Sequence, residues 1–124
     1  MTQPSLTSES FSSPLYIAGN YPVVTRERTI AGEQTLPRGA VLGRVTASGE
    51  YVLSDDGAAD GSEVPRAILV DEVDTTGGAV AMPVYLTGEF NQDALTFGGN
   101  HDAASAFEPL REVGIFLTQV TKVG

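Results

Sequence analysis

Past residue 22 this sequence never holds one hydrophobic periodicity for long, because glycine-bearing turns keep cutting it; the chain carries 14 glycines among 124 residues. Glycine takes φ > 0 without steric cost and weakens helix interiors. A chain punctuated in this way folds as many short strands joined by tight turns rather than as long helices. With no cysteine, neither a disulfide framework nor a thiolate metal site can support so small a domain. Oligomerisation is the remaining common route to extra burial.

Read in order, Val23-Val24-Thr25 and the residues to Ile30 favour extended structure. Leu36-Pro37-Arg38-Gly39 reads as a turn. Val41 to Thr46, interrupted by Gly43, and Glu50 to Leu53 flank Ala47-Ser48-Gly49 and read as a hairpin. Residues 54–64 form a polar Gly/Asp loop. Within Arg66 to Val73, the run Ala67-Ile68-Leu69-Val70 suits a strand buried on both faces. Thr75-Thr76-Gly77-Gly78 is a turn. Val80 to Phe90 alternates, with Val80, Met82, Val84 and Leu86 on one face and Ala81, Pro83, Tyr85 and Thr87 on the other. Pro83 cannot donate to a ladder, so this strand is expected to be an edge or to carry a bulge there.

Residues 91–101 are loop-like. Asp102 caps an expected helix over 103–113, Gly114 stops it, and Pro109 kinks it or starts a second turn. Ile115 to Val120 makes a last strand. The expectation is a mainly β, β-rich α+β fold: a small, compact, barrel-like domain over 23–124 with one short C-terminal helix.

Residues 1–22 read as a flexible arm. They are rich in Ser, Thr and Pro, carry one charge, Glu9, and cannot bury enough surface to order themselves. Yet Leu6, Phe11, Leu15, Tyr16 and Ile17 are scattered through them. The segment is either a frayed terminus or one that orders on a partner, for example by adding a strand to a sheet edge. It has no basic n-region or apolar h-region, so it is not expected to act as a signal peptide. No apolar run approaches the roughly 18 to 20 residues that span a bilayer. The protein is expected to be made in the cytoplasm and to stay soluble.

The formal net charge is −9. This argues against non-specific nucleic-acid binding, which needs clustered Lys and Arg, and against docking on an anionic membrane. The charge is uneven. Residues 23–49 hold Arg26, Arg28, Arg38 and Arg44 against Glu27 and Glu33, a net of +2. Residues 50–74 hold Glu50, Asp55, Asp56, Asp60, Glu63, Asp71, Glu72 and Asp74 against Arg66, a net of −7. These are either solvated loops or complementary patches that meet between subunits.

Chemistry finds little support. His101 is the single histidine and sits in a polar loop, where a solvated role is expected; no G-x-S-x-G elbow supplies a nucleophile. Asp55, Asp56, Asp60 and Glu63 cluster in a Gly-rich loop, where solvation leaves them ordinary carboxylates. The same loop lacks the alternating ligands and twelfth-position Glu of an EF-hand. No Walker A or G-x-G-x-x-G sequence occurs. The aromatics are not interleaved with basic residues, as a single-strand binding platform would require. No catalytic residue, metal or cofactor is expected. A small β-barrel binding a ligand or calcium is the alternative reading.

Val41-Leu42-Gly43-Arg44-Val45-Thr46-Ala47-Ser48-Gly49-Glu50-Tyr51-Val52, then Asp60-Gly61-Ser62, Arg66-Ala67-Ile68-Leu69-Val70 and Val84-Tyr85-Leu86-Thr87-Gly88-Glu89-Phe90-Asn91 follow one another in an order that resembles the phage head decoration protein family, the lambda D-like group. The likeness lies in collinearity over about residues 23–120 rather than in a catalytic motif. It implies a non-enzymatic virion protein, a homotrimer at three-fold positions on the outer surface of the expanded capsid, clamping the shell against internal DNA pressure. It also implies that the arm pairs with the major capsid protein, placing Leu6, Phe11, Leu15, Tyr16 and Ile17 at that contact by position.

Overall fold

A computed structural model describes residues 21–119 of the chain. Its strands are β1 (Val24–Ile30), β2 (Thr35–Leu36), β3 (Val41–Arg44), β4 (Tyr51–Leu53), β5 (Pro65–Leu69), β6 (Val73–Asp74), β7 (Val80–Asn91) and β8 (Ile115–Thr118). A 3-10 turn, Gln92–Ala94, and one α-helix, α1 (Ala103–Glu112), lie between β7 and β8. The mainly β expectation, with one short helix near the C-terminal end, holds.

Strands β1, β4, β3, β5 and β7 form a ring in that order, closed by the long antiparallel pairing of β1 with β7. The β3–β4 hairpin, β3–β5 and β5–β7 are also antiparallel. The seam between β1 and β4 is parallel and rests on one pair, Ile30 with Tyr51. The result is a five-stranded barrel that is tight at one end of β1 and open along the rest. Strand β8 pairs in parallel with the far end of β7, Gly88 to Asn91. The short ribbon β2–β6 stands apart from the main sheet.

Alternation along the strands splits the core in two. Ile30, Leu42, Tyr51, Ala67, Leu69 and Val84 pack together on one face, with Leu36 and Val73 of the ribbon beside them. Val41, Ile68 and Tyr85 point to the other face. There they meet Phe90 of β7, Leu95 just after the 3-10 turn, Ala106 and Leu110 of α1, and Ile115 and Leu117 of β8. β5 is thus buried on both faces, as its unbroken apolar run implied. On β7, Val80, Met82, Val84 and Leu86 share one face and pack on the first cluster. Tyr85 and Phe90, five residues apart, share the other, with ring centroids 5.2 Å apart. A strict alternation cannot do that. The β1–β7 register slips between Val24/Thr25 and lets Thr87 follow Tyr85 as the next partner, so one extra residue of β7 resets the faces.

Pro83 is neither on an outer strand nor at that slip. It pairs with Glu27 on one side, and its carbonyl accepts from the Val70 amide on the other, just past the last β5–β7 partner. The missing N–H therefore falls where β5 has already ended. The constraint foreseen for this proline is met by ending the neighbour rather than by moving the strand outward.

Candidate functional site

The described chain begins at Tyr21, so Leu6, Phe11, Leu15, Tyr16 and Ile17 lie outside the described residues. What the structure gives is how the first described residues are seated on the barrel. The Tyr21 amide donates to Glu89 Oε1 at 3.3 Å, and its ring packs edge-on against Phe116 of β8 with centroids 4.8 Å apart. The Thr87 hydroxyl donates to the Pro22 carbonyl at 2.8 Å, and its oxygen accepts from the Val24 amide at 3.1 Å. Tyr21 and Pro22 are therefore tied to the β7–β8 seam. Tyr21 and Val23 nevertheless remain 41% exposed each, two of the four large apolar side chains left so open among the described residues. The others are Val64 and Phe107.

The acidic loop is a built piece of the scaffold. Ser54 Oγ, buried, donates to the Ser62 carbonyl at 2.7 Å. Asp55 Oδ1 accepts from the Gly57 amide, Asp60 Oδ1 from the Ser62 amide and hydroxyl, and Glu63 Oε1 from the Gly61 amide. Asp56 Oδ1 accepts from the Asn100 amide at 2.8 Å, tying the loop to the turn before α1. The Ser62 hydroxyl and amide hold the Asp60 carboxyl below its usual range. Each carboxylate thus satisfies an amide of its own or a neighbouring turn. Among the described residues no group of three His, Asp or Glu side chains is placed to hold a metal ion.

His101 is a correction to the expected solvated loop residue. Its Nε2 lies 2.8 Å from the Glu63 carbonyl oxygen and its Nδ1 2.9 Å from Ser105 Oγ. The ring bridges the acidic loop to the first turn of α1, where Asp102 and Ser105 form a reciprocal capping box. Such a ring, held on both nitrogens by the fold, is a fastener. Sequence reading missed it because the partners are Glu63, 38 residues away, and a serine in the next turn.

The charge runs do not close on each other within the chain. Among the described residues the one ion pair is Arg111 with Glu108, side by side on α1. Arg26 and Arg28 donate to neighbouring carbonyls, those of Thr25 and Glu27. A shallow open groove lies on the β2–β6 ribbon, with Glu72 and Asp74 around Leu36, Pro37 and Val73. It brings together no set of acid, base and nucleophile.

The site is therefore a surface, the exposed and uncharged residues Tyr21 to Val23 carried by a doubly cored barrel. No curated protein matches the chain. The family model described as bacteriophage lambda head decoration protein D matches residues 7–115 of the 124, which takes in nearly all of the described residues and much of the segment before them. With that span matched and a β-rich barrel beneath it, the chain belongs to the phage lambda head decoration protein D family, whose place is on the capsid of the virion.

Proposed function

We propose that this decoration protein binds as a homotrimer at three-fold positions on the outer surface of the expanded capsid and clamps the shell against internal DNA pressure. It does so by binding alone, with no catalysis, nucleic-acid contact or membrane contact of its own. Residues 1–22 are the capsid-binding arm and residues 23–124 the domain that delivers it. Leu6, Phe11, Leu15, Tyr16 and Ile17 are the arm's contacts with the major capsid protein. The family match from residue 7 onward is the observation that carries this reading. The exposed, uncharged root at Tyr21 to Val23 supports the direction in which the arm is presented.

The mechanism is mass action. A ligand that binds only the mature shell stabilises it by RT ln(1 + [L]/Kd), about 2.7 kcal/mol per site at a hundred-fold excess over Kd. Three arms on one trimer raise one another's effective concentration, so weak single contacts give tight attachment.

The test is co-sedimentation of the purified chain with expanded and unexpanded heads of the phage that encodes it. The account expects saturable binding to expanded heads alone, in multiples of three chains. Equal binding to both head forms, or to neither, contradicts it.

A further inference from the structure

Two strand edges of the main sheet lack a neighbour among the described residues, and they differ in kind. β1 pairs with β7 along its length, but its other side meets β4 at Ile30 alone. The open stretch there reads Arg26-Glu27-Arg28, and charged side chains are the usual guard that keeps foreign strands off an edge. β8 pairs with β7 alone. Its residues, Ile115-Phe116-Leu117-Thr118, carry no charge, and Gln119 after them carries none. In a chain with a formal charge of −9, this is a neutral window.

The window is also rigid and well placed. Ile115 and Leu117 are buried against α1, so one face of β8 is anchored. Phe116, on the opposite face, is the residue that Tyr21 covers. Tyr21, the first described residue, therefore lies directly over β8. Tyr21 to Thr25, which lead away from it, are uncharged as well.

We propose that the outer edge of β8 is a second capsid contact, accepting an extended, uncharged strand of the major capsid protein by β-augmentation while the arm grips the same shell. This rests on the head-decoration reading and names a domain-borne surface for it. Main-chain hydrogen bonds to the open edge supply affinity, and the outward side chain of Thr118, beyond the Phe116 ring that Tyr21 covers, supplies register. A second copy of β8 is a poorer occupant. Antiparallel pairing of two identical edges closes a two-fold dimer and uses the edge up, whereas a three-fold assembly needs two different patches on each subunit.

Two variants test this on the full chain, Thr118→Lys and Thr118→Glu, at a half-buried position on the outward face. Both introduce the kind of guard that β1 already has. Each is expected to keep its melting temperature and to bind expanded heads roughly ten-fold or more weakly than the unmodified chain. Unchanged binding overturns the proposal. So does weakening by Glu with strengthening by Lys, which marks a charge contact. Hydrogen exchange on the unmodified chain keeps the test decisive if a variant fails to fold. The amides of 115–118 must exchange faster in the free chain than on heads. Slow exchange in both means that the chain's own terminal residues or another copy cover the edge, and overturns it. Failure of the unmodified chain to bind heads at all is a different result, and it removes the head-decoration reading itself.

Discussion

Gly43 shows how closely the barrel and the acidic loop are fitted. A Cβ built there falls 2.0 Å from the Ser62 carbonyl oxygen and 2.7 Å from its carbon, both backbone atoms that cannot swing aside. The glycine lies within β3, where it reads as a strand interruption, yet it is what lets the loop seat. Gly43→Ala is expected to cost about 3 kcal/mol in urea unfolding, the upper range for forcing a methyl into a packed site. Asp60 makes a pH-dependent statement at the same place. Folding holds its carboxyl below the ordinary value through Ser62, so its contribution is present above the unfolded pKa, near 4, and is lost as pH falls through the folded value. Ser62→Ala is therefore expected to lower stability at pH 7 and to differ less from the parent at pH 3, because the mutant has less of this contribution to lose. A gap that widens toward acid would contradict the assignment.

At the scale of elements, the capping of α1 is the clearest case of a local signal that survives folding. Asp102 accepts from the Ser105 amide at 2.9 Å and Ser105 Oγ accepts from the Asp102 amide at 3.0 Å. Asp102→Ala is expected to cost about 1 kcal/mol by thermal or urea unfolding. Helix stop and turn were equally legible: Gly114 takes φ +90, and the Ala40 amide bonds the Pro37 carbonyl. So were β1, the β3–β4 hairpin, β5, β7 and β8, each within a few residues of its expected bounds. The β2–β6 ribbon was not legible, because two-residue strands carry no periodicity. It is held by long-range groups: Thr75 Oγ1 donates to the Ala31 carbonyl, and Gln34 Oε1 accepts from the Leu53 amide. The loop 91–101 is likewise stitched by isolated bridges, Ala40 with Thr96 and Asp55 with Gly98. Both depend on residues far apart in sequence. The same reason hid His101 as a fastener and the β7 bulge that brings Phe90 beside Tyr85.

Over the whole molecule, the barrel and the α1–β8 layer share β5 and β7, so the two cores brace one another. No described helix is long and apolar enough to cross a membrane. The acidic-loop carboxylates hold the loop and its neighbouring turn, and two of the four most exposed large apolar side chains among the described residues, Tyr21 and Val23, stand where the described chain begins. The central claim is that this scaffold presents a capsid-gripping arm, and deletion of residues 2–20 measures it most directly. The deletion stops short of Tyr21, whose contacts with Glu89 and Phe116 remain. The account predicts unchanged folding by circular dichroism and melting, with binding to expanded heads lost. A truncated chain that folds and decorates expanded heads with the affinity of the full chain would contradict it.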